Sequence, residues 1–214
     1  MKKIFIVVIL VLLRLTVFAQ YPDRVINDRI KYQLAALRKE GVDTICIYQE
    51  YCVGCEVRWK NKDDRCNYVG YYISAHIYWK KNGLSYMTAK DNCFDYSTVK
   101  IIADSLWRYF RNINEIRNEV IKPPQYAKTE NDTTRIFDST IDHSFRQNIT
   151  MIVYEDIVEK NFDEYNFEKT VDVAGRHLNI NYEYNLNTSS KKLQLFLDSL
   201  TKELAKRKLL SRMN

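Results

Sequence analysis

In residues 23–40 the apolar side chains of Val25, Ile26, Ile30, Leu34, Ala35 and Leu37 recur every three or four positions, and Gly41 follows them. That spacing lines one face of an α-helix, with Asp23 as its N-cap and Gly41 able to take the left-handed backbone that ends it. Residues 42–48 are β-branched and aromatic with apolar side chains on both parities, which predicts a central strand covered on both faces. Within 68–90 two β-rich runs flank Asn82 and Gly83, a pair that supplies the positive φ angles of a tight hairpin turn. A two-residue turn and a type I turn with a bulge at Gly83 both fit, so the register stays open by one residue. Along the first run Tyr71, Ile73, Ala75, Ile77 and Trp79 share the expected core face, and Tyr72, Ser74, His76 and Tyr78 share the other.

Ser97 precedes Val99, Ile102, Ala103, Leu106, Phe110, Ile113 and Val120, a stripe that predicts one long helix ending at Pro123 and Pro124. Residues 122–144 follow neither period and predict a long surface connection, with local order around Ile136 and Phe137. Two further strands are expected at 148–158 and 177–186. The stretch between them, around Phe162 and Tyr165, is either a long excursion or a twisted strand extension. Ser189 or Ser190 caps a last helix that turns Leu193, Phe196, Leu197, Leu200 and Leu204 inward. The order of elements predicts an α+β domain: a mainly antiparallel sheet of about five strands with three helices packed largely on one face.

Composition narrows the class. With 46% hydrophobic and 28% charged residues, and only five Gly and three Pro, the chain is neither collagen-like, low-complexity nor wholly disordered. Its longest apolar run lies in residues 4–13, behind Lys2 and Lys3 and before Arg14, and small residues Val17 and Ala19 stand before Gln20. These are the three regions of a bacterial-type Sec signal peptide, so residues 1–19 are expected to be cleaved and 20–214 to form a single secreted or periplasmic domain. An uncleaved anchor is the alternative, but Arg14 interrupts the run well short of the roughly 20 apolar residues that span a bilayer. No stable membrane span is expected after cleavage.

Losing Lys2, Lys3 and Arg14 lowers the net charge from +6 to +3. Much of the remainder clusters near the C-terminus, at Lys191, Lys192, Lys202, Lys206, Arg207, Lys208 and Arg212, where the dipole of a solvated helix end favours cations. Nucleic-acid binding asks for a broader basic stripe and is not expected.

The five cysteines, Cys46, Cys52, Cys55, Cys66 and Cys93, lie within 48 residues of one another. Export makes disulfides the expectation: Cys46, inside a predicted strand, is the free buried thiol, and Cys52, Cys55, Cys66 and Cys93 are the bridge candidates, with three pairings open. A bridge from the Cys52–Cys55 loop to Cys93 would close roughly forty residues and is worth about 4 kcal/mol in the chain-entropy picture. The alternative function is an extracytoplasmic thiol-disulfide oxidoreductase using Cys52 and Cys55 as a CxxC pair. Such a site places its first Cys at a helix N-terminus, whereas residues 56–62 alternate as a strand does. A zinc site lacks a second CxxC pair. His76, His143 and His177 fall in no catalytic motif, no phosphate loop or calcium loop occurs, and neither a cofactor nor a metal is expected. Half of the sixteen tyrosines crowd the hairpin region, where Tyr72, His76 and Tyr78 form the stripe opposite the core face. The expected function is therefore a non-catalytic binding module stabilised by disulfides, contacting an extracytoplasmic protein or glycan through Tyr72, His76 and Tyr78.

Overall fold

The computed structural model describes residues 21–53, 72–141, 143–171 and 177–213. The expected signal segment, Cys55, Cys66 and Tyr71 lie outside the described residues.

Helix α1 (Tyr21–Lys39) buries Ile26, Ile30 and Leu37 and stops where its pattern stops. Gly41 sits at φ +73°, its N–H donates to Arg38 O at 3.0 Å, and the Val42 N–H donates to Leu37 O at 3.0 Å. That pair of bonds is a Schellman motif, which satisfies carbonyls the helix end would leave unpaired. Strand β1 (Thr44–Val53) then runs through the middle of the sheet.

The hairpin of β2 (Ile73–Lys81) and β3 (Leu84–Asp91) turns on Asn82 at φ +52° and Gly83 at φ +76°, with Lys81 paired to Leu84. Both turn residues have positive φ, so the two-residue type I′ register is the one adopted. The remaining strands of the sheet are β4 (Val99–Ile101), β7 (Ser144–Val153) and β8 (Asp156–Asp163). The order is β4-β3-β2-β1-β7-β8, antiparallel throughout. A separate two-stranded sheet pairs β5 (Gln125–Glu130) with β6 (Thr133–Asp138).

Both faces of the six-stranded sheet are cores. Among the described residues, helix α1 covers Ile45, Ile47, Ile73, Ala75, Ile77 and Trp79. On the other face α2 (Asp104–Arg111), α3 (Ile113–Asn118) and α5 (Ser189–Lys206) cover Cys46, Tyr48, Tyr78, Met87, Ile149 and Met151. The α+β architecture is thus the expected one, with most helices on one face and a sixth strand in the sheet. Thr188, one residue before the expected caps, holds the start of α5 by accepting from the Lys191 N–H at 3.2 Å. The Glu119 carboxylate also receives the N–H groups of Ser189 and Ser190, at 2.6 and 2.7 Å. A carboxylate against the positive end of that helix answers both its orphan donors and its dipole.

Three expectations are corrected. The stripe from Val99 to Val120 is a strand followed by two short helices, because β-branched Val99 and Ile101 pair with Met87 and Ser85 and leave Ile102 93% exposed, and the chain breaks again at Asn112. The strand at 148–158 is two strands folded at Tyr154 and Glu155, with Val153 paired to Asp156. Tyr154 takes φ +56°, a position that normally calls for glycine, so the turn has no signature in the sequence. Its N–H donates to Asp43 O at 2.8 Å and its carbonyl accepts from Arg38 at 2.9 Å, contacts that hold the strained residue in place. The surface connection at 122–144 contains the β5–β6 hairpin, whose turn residues Asn131 and Asp132 lie at φ +48° and +59°. Asn-Asp between two runs of β-forming residues was the available signal.

Candidate binding surface

The stripe of Tyr72, His76 and Tyr78 does not form one exposed patch. Tyr78 is 0% exposed, sits in the core beneath α5 and shares a 2.7 Å hydrogen bond with the hydroxyl of Thr201. Burial pushes its phenol well above the usual tyrosine range. The expectation fails for this residue because helices cover both faces of the sheet, so neither parity of β2 is a solvent face. His76 pairs with Tyr48 across β1, their ring centroids 6.4 Å apart. Burial lowers the imidazole to about 4, leaving it neutral, and its Nδ1 has no hydrogen-bond partner among the described residues. Tyr72 is half-buried and donates to Asp91 Oδ2 at 3.3 Å.

Asp91 organises the turn that carries Cys93. Its Oδ1 accepts the N–H groups of Cys93 and Phe94 at 2.7 and 2.6 Å, and its Oδ2 accepts the Tyr96 hydroxyl at 2.8 Å as well as Tyr72. Next to it Lys90 and Arg29 converge on Asp95 at 3.0 and 3.1 Å. Burial works against the Asp95 carboxylate, but the two cations outweigh it and hold the group below its usual range. Cys52 lies near the end of β1, paired with Phe145 of β7. Neither Cys52 nor Cys93 is a free thiol, whereas Cys46 is free and fully buried, with its thiol raised by desolvation. Cys52 thus lies within a strand and, among the described residues, no helix N-terminus supports it.

The segment expected as a strand at 177–186 is an isolated bridge at Leu178, a turn, and the short helix α4 (Tyr182–Asn187). Asn alternates there with larger apolar residues, and it is Asn179, Asn181 and Asn185 that are buried. Asn185, 0% exposed, donates to Lys122 O and Asn166 O, both at 2.9 Å, and accepts from the Lys122 N–H at 3.0 Å. Asn179 receives the N–H groups of Gln125 and Asn181 at 3.3 and 3.0 Å and donates to Glu168 O at 3.1 Å. Asn181 donates to Pro123 O at 2.8 Å. These amides replace strand pairing with side-chain bonds to the backbone, the habit that makes Asn a poor strand residue.

With the amides inside, the apolar members of the alternation face out. Leu178 is 62% and Ile180 49% exposed, and the exposed Tyr184 lies under the Lys122 ammonium, 4.1 Å from its ring centroid. The base of the β5–β6 hairpin joins this ridge. Gln125 O accepts the Ile180 N–H at 2.8 Å, and the Tyr126 ring stacks with both Phe137 and His177, at 5.3 and 4.6 Å. Sequence reasoning missed these residues because it read 177–186 as a strand and singled out none of its side chains. The signal that identifies them is the run of four Asn at 179, 181, 185 and 187, too polar for a buried strand without partners and well suited to fastening loops.

Among the described residues no three His, Cys, Asp or Glu side chains group as a metal site, and no helix is long and apolar enough to cross a membrane. No known family model matches the chain, and comparisons with curated proteins and with solved structures find no match.

Proposed function

We propose that this chain is a non-catalytic binding module, exported through its N-terminal signal and braced by disulfides among Cys52, Cys55, Cys66 and Cys93. Its partner is an extracytoplasmic protein, engaged through the ridge of Leu178, Ile180 and Tyr184 with the foot of the β5–β6 hairpin. One observation carries this reading: large apolar side chains are held outward by a buried network of asparagine amides. Exposed apolar side chains gain nothing in the isolated molecule, whereas a backbone fixed in advance lowers the ordering cost of association. The same amides tie together three stretches distant in sequence, around 122–125, 166–168 and 179–185, so the ridge is presented on a rigid base.

The oxidoreductase reading requires Cys52 as an accessible, low-pKa thiolate. A strand-end position without a helix N-terminus supplies no such stabilisation, so the binding reading is the one adopted.

The test is cross-linking and recovery from the native cell envelope with wild type and with Leu178→Asp/Ile180→Asp. A defined protein recovered stoichiometrically by wild type and lost by the folded variant supports the reading. Equal recovery by both rejects the ridge. Insulin reduction that disappears in Cys52→Ser would establish the oxidoreductase instead.

A further inference from the structure

On the face of the sheet that carries α1, walled on one side by that helix, lies a concavity of about 470 Å³ that belongs to none of the surfaces described above. Its aromatic members are Trp79 and Tyr86, directly paired across β2 and β3, with ring centroids 5.7 Å apart and planes inclined by only 20°. Trp79 is buried under α1, whereas Tyr86 keeps part of its surface in solvent. The partly exposed Tyr86 ring is therefore backed by a second ring and by the core, and so is fixed in orientation.

The polar groups around the rings have a definite balance. Gln33 from α1, Thr98 just before β4 and Asn82 in the hairpin turn each offer both donors and acceptors. The charged groups of the lining, Lys81 and Glu40, neutralise one another through a 2.8 Å ion pair. Such a site has no surplus cation to recognise a phosphate or carboxylate, and it is too polar to select a purely apolar ligand. What it matches is a neutral molecule with one apolar face and a rim of hydroxyls. A pyranose is such a molecule: its axial C–H groups lie flat on an aromatic ring while its equatorial hydroxyls reach sideways to mixed donors and acceptors.

We infer that the Trp79–Tyr86 concavity is a carbohydrate-binding subsite, in which Tyr86 is the stacking platform and Gln33, Thr98 and the Lys81–Glu40 pair read the hydroxyls. The inference goes beyond the protein-binding ridge and shares with it only that the molecule binds without turnover. The two surfaces are lined by different residues, so either can fail while the other stands.

The experiment is a heteronuclear NMR titration of the mature chain with the methyl glycosides of glucose, galactose, mannose and N-acetylglucosamine. A saturable, millimolar-range shift of the Trp79 indole and Gln33 amide signals with at least one sugar is expected. Tyr86→Ala should weaken it about tenfold, and Tyr86→Phe should leave it within about twofold, since stacking and not the hydroxyl carries the contact. If Tyr86→Ala does not fold, Gln33→Ala/Thr98→Ala, which leaves both rings in place, must weaken the same titration. No saturable shift with any of the four sugars overturns the inference, as does undiminished binding by the folded variants. A polyproline peptide that saturates these signals where the sugars do not would reassign the platform to peptide recognition. Loss of sugar shifts with intact envelope capture would leave the ridge standing.

Discussion

The hydroxyls of Tyr78 and Thr201 meet at 2.7 Å in the core, joining the middle of β2 to the C-terminal half of α5. Both residues are buried, so each hydroxyl depends on the other for its hydrogen bond to a side chain. Tyr78→Phe is expected to cost about 1 kcal/mol in urea unfolding, and Thr201→Val a similar amount. The double variant should lose less than the sum, with a coupling of about 1 kcal/mol, because each single change strands the other group. Strict additivity would show that the bond does not tie the layers together.

Asn185 is the amide with the most to lose. Asn185→Ala removes one acceptor and two donors facing Lys122 and the Asn166 carbonyl, and is expected to destabilise the fold by roughly 3 kcal/mol through unpaired backbone groups. Asn187→Ala, whose exposed amide makes only a local bond to Glu183 O, should cost under about 0.5 kcal/mol. Equal effects in chemical denaturation would remove the distinction between an amide that holds loops together and one that decorates a helix end.

The buried imidazole sets a pH window. His76 is lowered to about 4 from the usual 6.5, so the unfolded chain binds a proton there that the folded chain does not. Its contribution is complete above about 6.5 and is lost as pH falls from there toward 4, by at most roughly 3 kcal/mol. Glu50, raised mainly by burial, acts in the opposite sense, since its folded form holds a proton more tightly than the unfolded one. His76→Gln should therefore flatten or reverse the slope of stability against pH in this window. An unchanged slope would mean that His76 takes up its proton equally in the folded and unfolded chain.

Thiol chemistry tests the bracing. In protein exported and kept unreduced, one thiol should react with alkylating reagents, and only after unfolding, because Cys46 is enclosed in the core. Peptide mapping should place that label on Cys46 alone. Several labelled cysteines would reject the proposed disulfides among Cys52, Cys55, Cys66 and Cys93.

The parts of the fold legible in the sequence are those whose local chemistry and tertiary role agree. Gly41 ends α1 and Asn82–Gly83 turn the hairpin because backbone preference alone suffices there. At Tyr154 the backbone adopts what the side chain disfavours, and contacts from Asp43 and Arg38, far away in sequence, hold it there. At residues 177–186 the period was visible but its sense was not, since asparagine amides become interior groups only when distant carbonyls are brought to meet them. The Tyr72–His76–Tyr78 stripe failed for a related reason: alternation distinguishes two faces of a strand without telling whether the second is wet.

The position of β1 at the middle of the sheet orders folding events as the chain emerges N-terminus first. The β2–β3 hairpin closes locally and can flank β1 early, but the other neighbour, β7, lies far downstream, with Tyr48 and Ile149 paired although roughly 100 residues separate them. Until that partner arrives, the apolar central strand keeps one edge open, and α5, which roofs the larger core, is synthesised later still. Closure of both layers therefore waits for the C-terminal third of the chain, and a molecule truncated before β7 presents an unpaired sticky edge in place of a smaller stable domain.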